Sequence, residues 1–85
     1  MPAKYFKLPS RVDKEISRLP LHIQNKIDKS LDILKKNPIL DVKLKGKLDD
    51  YYKFRLGDYR IIYKFNSKTG TLEIVKIEHR QGVYR

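Results

Sequence analysis

Two arginines, Arg55 and Arg60, flank the dipeptide Gly57-Asp58 inside an alternating run: Tyr52-Lys53-Phe54-Arg55-Leu56 before it, Tyr59-Arg60-Ile61-Ile62-Tyr63-Lys64-Phe65 after it. Glycine in the first position of a two-residue loop is the composition of a type II′ hairpin turn. With that turn Leu56 faces Tyr59, Phe54 faces Ile61 and Tyr52 faces Tyr63, which makes one face apolar. The opposite face is cationic. There Arg55 stands across from Arg60, with Lys53 and Lys64 one pleat further along. Like charges placed directly opposite destabilise a sheet, so stability alone does not explain the strip. An anion between the guanidiniums does, and phosphate matches their forked donors best.

Composition points the same way. The chain of 85 residues holds 20 Lys+Arg against 10 Asp+Glu, a formal charge of +10 that favours a polyanionic partner. Four of the arginines, Arg55, Arg60, Arg80 and Arg85, fall in the strand region or beyond it, although lysine outnumbers arginine overall. Lys43, Lys45 and Lys47 make a second basic cluster, which serves equally as a solvated loop or as an RNA contact. The ending His79-Arg80-Gln81-Gly82-Val83-Tyr84-Arg85 gathers an imidazole that can transfer a proton, guanidiniums that can stabilise developing negative charge and a phenol that can stack on an unpaired base. Asp49 and Asp50 could offer a carboxylate base, but adjacent extended positions point opposite ways and loop capping suits both. No phosphate-binding glycine loop and no serine in a nucleophile elbow occurs, and two histidines, His22 and His79, are too few and too far apart for a metal site.

Something must hold these groups in place. The length allows a single domain, 1–85, with one core. Lys4 to Leu8 reads as a short edge strand ended by Pro9. Ser10 and Asp13 form a weak capping-box variant at the start of a helix carrying Val12, Ile16 and Leu19, which Pro20 stops. Pro20 then suits the first turn of a second helix with Ile23, Ile27, Leu31 and Leu34 on one stripe. Beyond the charged hairpin, Asn66 to Gly70 is a polar turn and Thr71 to Ile77 a fourth strand, with His79 and Arg80 after it. Leu72 and Ile74 sit on one parity in that strand, Val75 and Ile77 on the other, so a bulge must switch faces for both pairs to be buried. The order β-α-α-β-β-β predicts an α+β fold of two layers, a helical hairpin packed on one face of a mostly antiparallel four-stranded sheet. The absence of cysteine excludes disulfides and thiolate metal sites, and no apolar run is long enough to span a membrane, which together predict a cytoplasmic protein without a membrane partner.

Leu44-Lys45-Gly46-Lys47-Leu48, the run from Tyr52 to Tyr63, and the terminal His79-Arg80 with Val83-Tyr84 resemble the RelE family of the RelE/ParE superfamily of type II toxin-antitoxin toxins. The hairpin is shared with the ParE branch, which is associated with DNA gyrase inhibition; the His-Arg and Val-Tyr ending looks RelE-like. The resemblance implies an mRNA endonuclease acting in the ribosomal A site without a metal or other cofactor, by attack of the ribose 2′-hydroxyl on the adjacent phosphate, and neutralised by an antitoxin in a hetero-oligomer. Carried over by position, Lys53 and Arg60 would stabilise the pentacovalent phosphate, Arg80 would assist the leaving oxygen and Tyr84 would stack on the nucleotide. Lys43, Lys45, Lys47, Lys64 and Arg85 are expected to bind RNA or ribosome. Arg55 stands where some relatives have a lysine proposed as general base, and a guanidinium is a poor proton acceptor. That departure assigns the base to His79 and leaves Arg55 an electrostatic role.

Overall fold

The structure, a computed structural model, describes residues 2–38 and 51–79. Its elements are β1 (Tyr5–Lys7), α1 (Ser10–Ser17), α2 (Leu21–Lys36), β2 (Tyr51–Leu56), β3 (Tyr59–Asn66) and β4 (Thr71–His79). Both helices begin after a proline in extended conformation, Pro9 and Pro20, and neither start has a side-chain cap. Instead the Pro9 carbonyl accepts from the Val12 and Asp13 amides and the Pro20 carbonyl from those of Ile23 and Gln24. Ser10 is therefore the first helical residue rather than a cap, and Pro20 precedes the second helix. The Gln24 side-chain amide donates to the carbonyls of Ser17 and Leu19, satisfying the end of α1 from the start of α2.

The sheet order is β1-β4-β3-β2, with β1 parallel to β4 and the other two pairings antiparallel. The first strand is thus an edge strand, as its proline stop implies. Its backbone is tied at both sides: Ala3 N–H donates to the Lys35 carbonyl of α2, and the Lys4 and Tyr5 amides donate to the Gly70 carbonyl. Gly70 has φ +75°, and a Cβ there would come within 3.0 Å of the Lys4 side chain, so this turn needs glycine twice over.

Helices cover one face of the sheet. Val12 and Ile16 of α1 and Ile27, Leu31 and Leu34 of α2 pack on Ile61, Tyr63, Phe65, Leu72 and Ile74, with Tyr52, Phe54, Leu56 and Ile77 extending this floor. Tyr63 is wholly buried, stacked on Tyr52 with ring centroids 5.4 Å apart, and its hydroxyl donates to the Pro38 carbonyl at 3.0 Å. Replacing fully buried Ile27 by alanine is expected to lower unfolding stability by about 2–5 kcal/mol, whereas Leu21→Ala, at a position 70% exposed, should change it by no more than about 0.5 kcal/mol. Urea denaturation of the two variants measures the contrast.

Candidate functional site

Everything about the charged face follows from strand register. Gly57 has φ +59° and Asp58 has no positive φ, as a type II′ turn requires, and Leu56 pairs with Tyr59 across it. Arg55 therefore lies opposite Arg60, with Cα atoms about 5 Å apart. In β4 the register slips by one residue between the partners of Ile62 and Tyr63, so that Lys76 faces Ile62, Ile74 faces Tyr63 and Val75 is the extra residue. Leu72, Ile74 and Ile77 thereby all reach the helix-covered face, and Lys76 and Glu78 turn to the other one.

That second face, over which no described helix lies, is a ladder of cross-strand rows. Glu78, Arg60 and Arg55 make the row nearest the hairpin turn. Lys76, Ile62 and Lys53 make the next. Ile62 is only 5% exposed although it points away from the helices, since the aliphatic stems of long charged neighbours cover apolar surface. Lys7, Glu73, Lys64 and Tyr51 make the row beyond the bulge.

The face is basic but not uniformly so. Glu78 forks between two cations: one carboxylate oxygen lies 2.9 Å from Arg60 Nη2, the other 2.8 Å from Lys76 Nζ. The Lys76 ammonium foremost, and then Arg60, hold the Glu78 carboxyl below the ordinary glutamate value, against the opposing push of burial. It is accordingly ionised at neutral pH, and its pairing fades only as the solution becomes acid enough to protonate it. Lys64 lies 3.8 Å from Glu73. Among the described residues Lys53 and Arg55 have no acidic partner. An anion arriving at Arg60 would therefore have to exchange with a carboxylate, whereas none of the described acidic groups competes for Lys53 or Arg55.

Sequence reasoning brought Lys53, Arg55, Arg60 and Lys64 to one face, and they are there. It missed Glu73, Glu78 and Lys76, because their face depends on where the bulge falls; the parity conflict in the fourth strand was the available signal. His79 departs from expectation. It is the last residue of β4 rather than part of a tail, and it pairs with Tyr59 on the side where the helices pack, its ring edge-on to the tyrosine at 4.6 Å between centroids. The register sets it on the face opposite Arg55 and Arg60. Lys43, Lys45, Lys47, Asp49, Asp50, Arg80, Tyr84 and Arg85 lie outside the described residues. No helix among the described residues is long and apolar enough to cross a membrane.

A family model described as ParE toxin of the type II toxin-antitoxin system parDE matches residues 7–84. The RelE1 protein of Methanocaldococcus jannaschii is 33% identical over 84 residues, spanning 93% of this chain and 92% of that one. The archaeal RelE of a RelE-RelB complex from Pyrococcus horikoshii superposes with a TM-score of 0.79 at 34% identity, covering 89% of this chain and 93% of that one. Isolated RelE of E. coli shares the fold, with a TM-score of 0.78 at 24% identity over 94% of this chain and 89% of its own.

The exchange at Arg60 has a measurable consequence. Glu78→Gln removes the internal competitor, and binding of a short single-stranded DNA, which lacks the 2′-hydroxyl, is expected to tighten about fivefold, equivalent to roughly 1 kcal/mol. The slope of log affinity against log salt should steepen by about 0.7 for each freed cation. Fluorescence anisotropy at several salt concentrations reads both.

Proposed function

The chain belongs to the RelE family of toxins of type II toxin-antitoxin systems, and from that premise we propose that it is a ribosome-dependent mRNA endonuclease of the cytoplasm, held inactive by a cognate antitoxin. The observation that supports this most is the opposition of Arg55 and Arg60 on the face the helices leave open, with Lys53 in the next row.

In the proposed reaction the ribose 2′-hydroxyl attacks the adjacent phosphorus. The P–O5′ bond breaks as the new P–O2′ bond forms, with the 2′-hydroxyl proton passing to water and the departing 5′-oxygen taking one up from water, leaving a 2′,3′-cyclic phosphate and a 5′-hydroxyl. Negative charge grows on the non-bridging oxygens of the five-coordinate phosphorus, and Lys53, Arg55 and Arg60 stabilise it there. From the family resemblance, Arg80 assists the departing 5′-oxygen and Tyr84 stacks on the nucleotide. His79 lies on the sheet face opposite this strip, and the reading proposed here gives it no base role. The carboxylate beside Arg60 is that of Glu78; held by two cations it is a weak base, and the acceleration rests on charge stabilisation and on orientation. A shallow sheet orients RNA poorly by itself, so the ribosome supplies the alignment. No step uses a metal ion.

Relatives support an antitoxin partner: the RelE of Pyrococcus horikoshii was solved in complex with RelB, and a +10 protein suits an acidic partner. A ParE-like action, poisoning of DNA gyrase without RNA cleavage, is the second reading, favoured by the description of the matching family model. Induced expression with radiolabelled precursors separates the two. Immediate arrest of amino-acid incorporation supports the nuclease; DNA damage with continuing translation supports the gyrase inhibitor. On programmed ribosomes, Arg60→Ala is expected to slow single-turnover cleavage about a hundredfold or more, while His79→Gln should leave the rate within a few-fold and its pH profile unchanged.

A further inference from the structure

The two cations that share the Glu78 carboxylate are not equivalent. Arg60 belongs to β3 and stands beside Arg55 of β2, so an anion between the two guanidiniums lies on the β2 side of Arg60. Lys76 belongs to β4, on the other side, in the row of Ile62 and Lys53. Since β3 separates β4 from β2, those two strands lie about 10 Å apart with the Arg60 side chain between them. Lys76 is therefore placed to hold Glu78 rather than the anion. The cations also use different oxygens: Arg60 Nη2 lies 2.9 Å from Oε1, and Lys76 Nζ lies 2.8 Å from Oε2. One contact can open while the other stays closed. The Glu78 side chain is only 23% exposed, a setting in which a carboxylate stripped of every partner is strongly disfavoured. Without Lys76, opening the Arg60 contact would create that state, and the Arg60–Glu78 pair would hold the tighter for it.

We propose that Lys76 is a positioning residue of the anion site: it retains the Glu78 carboxylate while Arg60 turns from that carboxylate to a phosphate held between Arg55 and Arg60. This role rests on the phosphodiester reading above. It supplies the means by which a guanidinium already paired in the free protein becomes available to RNA. No group is left uncompensated in the exchange, because Arg60 passes from carboxylate to phosphate and Glu78 keeps its ammonium partner. The bulge at Val75 makes the handover possible. It sets Lys76 and Glu78, two residues apart on one strand, on the same face as Arg60.

Titration of the intact protein with inorganic phosphate at neutral pH and constant ionic strength, followed by NMR through the Nε–Hε signals of Arg55 and Arg60, tests this. The probe is too small to reach from Arg55 to Lys76, so contacts that Lys76 could make with a longer backbone do not enter. Lys76→Met should weaken phosphate binding about fivefold. The charge-matched Lys68→Met, in the exposed turn after β3, should change it by less than about twofold. Glu78→Gln should tighten binding about fivefold. The double variant Lys76→Met/Glu78→Gln should bind as Glu78→Gln alone does, because without the carboxylate Lys76 has nothing to retain. A double variant weaker than Glu78→Gln by the full factor that Lys76→Met costs in the wild type would mean that Lys76 acts on the anion by its own charge, and would overturn the proposal. So would a Lys76→Met protein that binds no worse than Lys68→Met. In both of those cases loss of binding by Arg60→Ala leaves the anion site and the RNA reading standing. If Arg60→Ala binds phosphate as the wild type does, the anion site is refuted and the handover with it.

Discussion

A single turn governs where the charges of β2 and β3 go. Because Gly57 adopts a positive φ and Asp58 does not, β2 and β3 meet with Leu56 against Tyr59, and the period of two in each strand then sorts all their side chains at once. A slip of β2 by one residue against β3 would bury Arg55 and Lys53 under the helices and expose Phe54 and Tyr52. The desolvation of two cations and the loss of aromatic floor both oppose it. The hairpin register is therefore held by the core, and the basic face is its obligatory reverse side.

The bulge in β4 extends the same logic to the third strand. Left regular, β4 would carry Lys76 and Glu78 onto the face occupied by Leu72 and Ile74, beneath the helices. One extra residue at Val75 resolves the conflict: Ile77 joins the packed floor, and Lys76 and Glu78 rotate to the open face. What removes two charges from the core also delivers a carboxylate to Arg60. Packing and site electrostatics are thus consequences of one irregularity, as is common where bulges re-aim side chains beside functional surfaces.

The open face is consequently graded rather than uniformly positive. Near the hairpin turn, Arg55 and Lys53 stand without an acidic partner among the described residues, while Arg60 and Lys76 are held by Glu78. Farther along, Glu73 lies between Lys7 and Lys64 in the same row. A surface made only of cations would bind any polyanion in any pose. Fixed carboxylates would make the binding of an anion an exchange of counter-ions at defined places, which limits affinity and sharpens position.

The sequence by itself determined the two-layer α+β architecture, the helical stripes and the hairpin pairing of Arg55 with Arg60, because each is written in local periodicity and in a turn whose glycine has one preferred use. The family was legible for a similar reason: its motif residues lie close together in the chain. Only the tertiary structure decided the parallel docking of β1 on β4, the site of the bulge and, through it, the faces of Lys76, Glu78 and His79. Leu72, Ile74, Val75 and Ile77 showed that a switch was needed, but its position depends on which residues fit beneath Val12, Ile16 and Leu31, contacts between segments far apart in the chain. Local pattern cannot encode that choice, since it is settled by the packing of one layer against another.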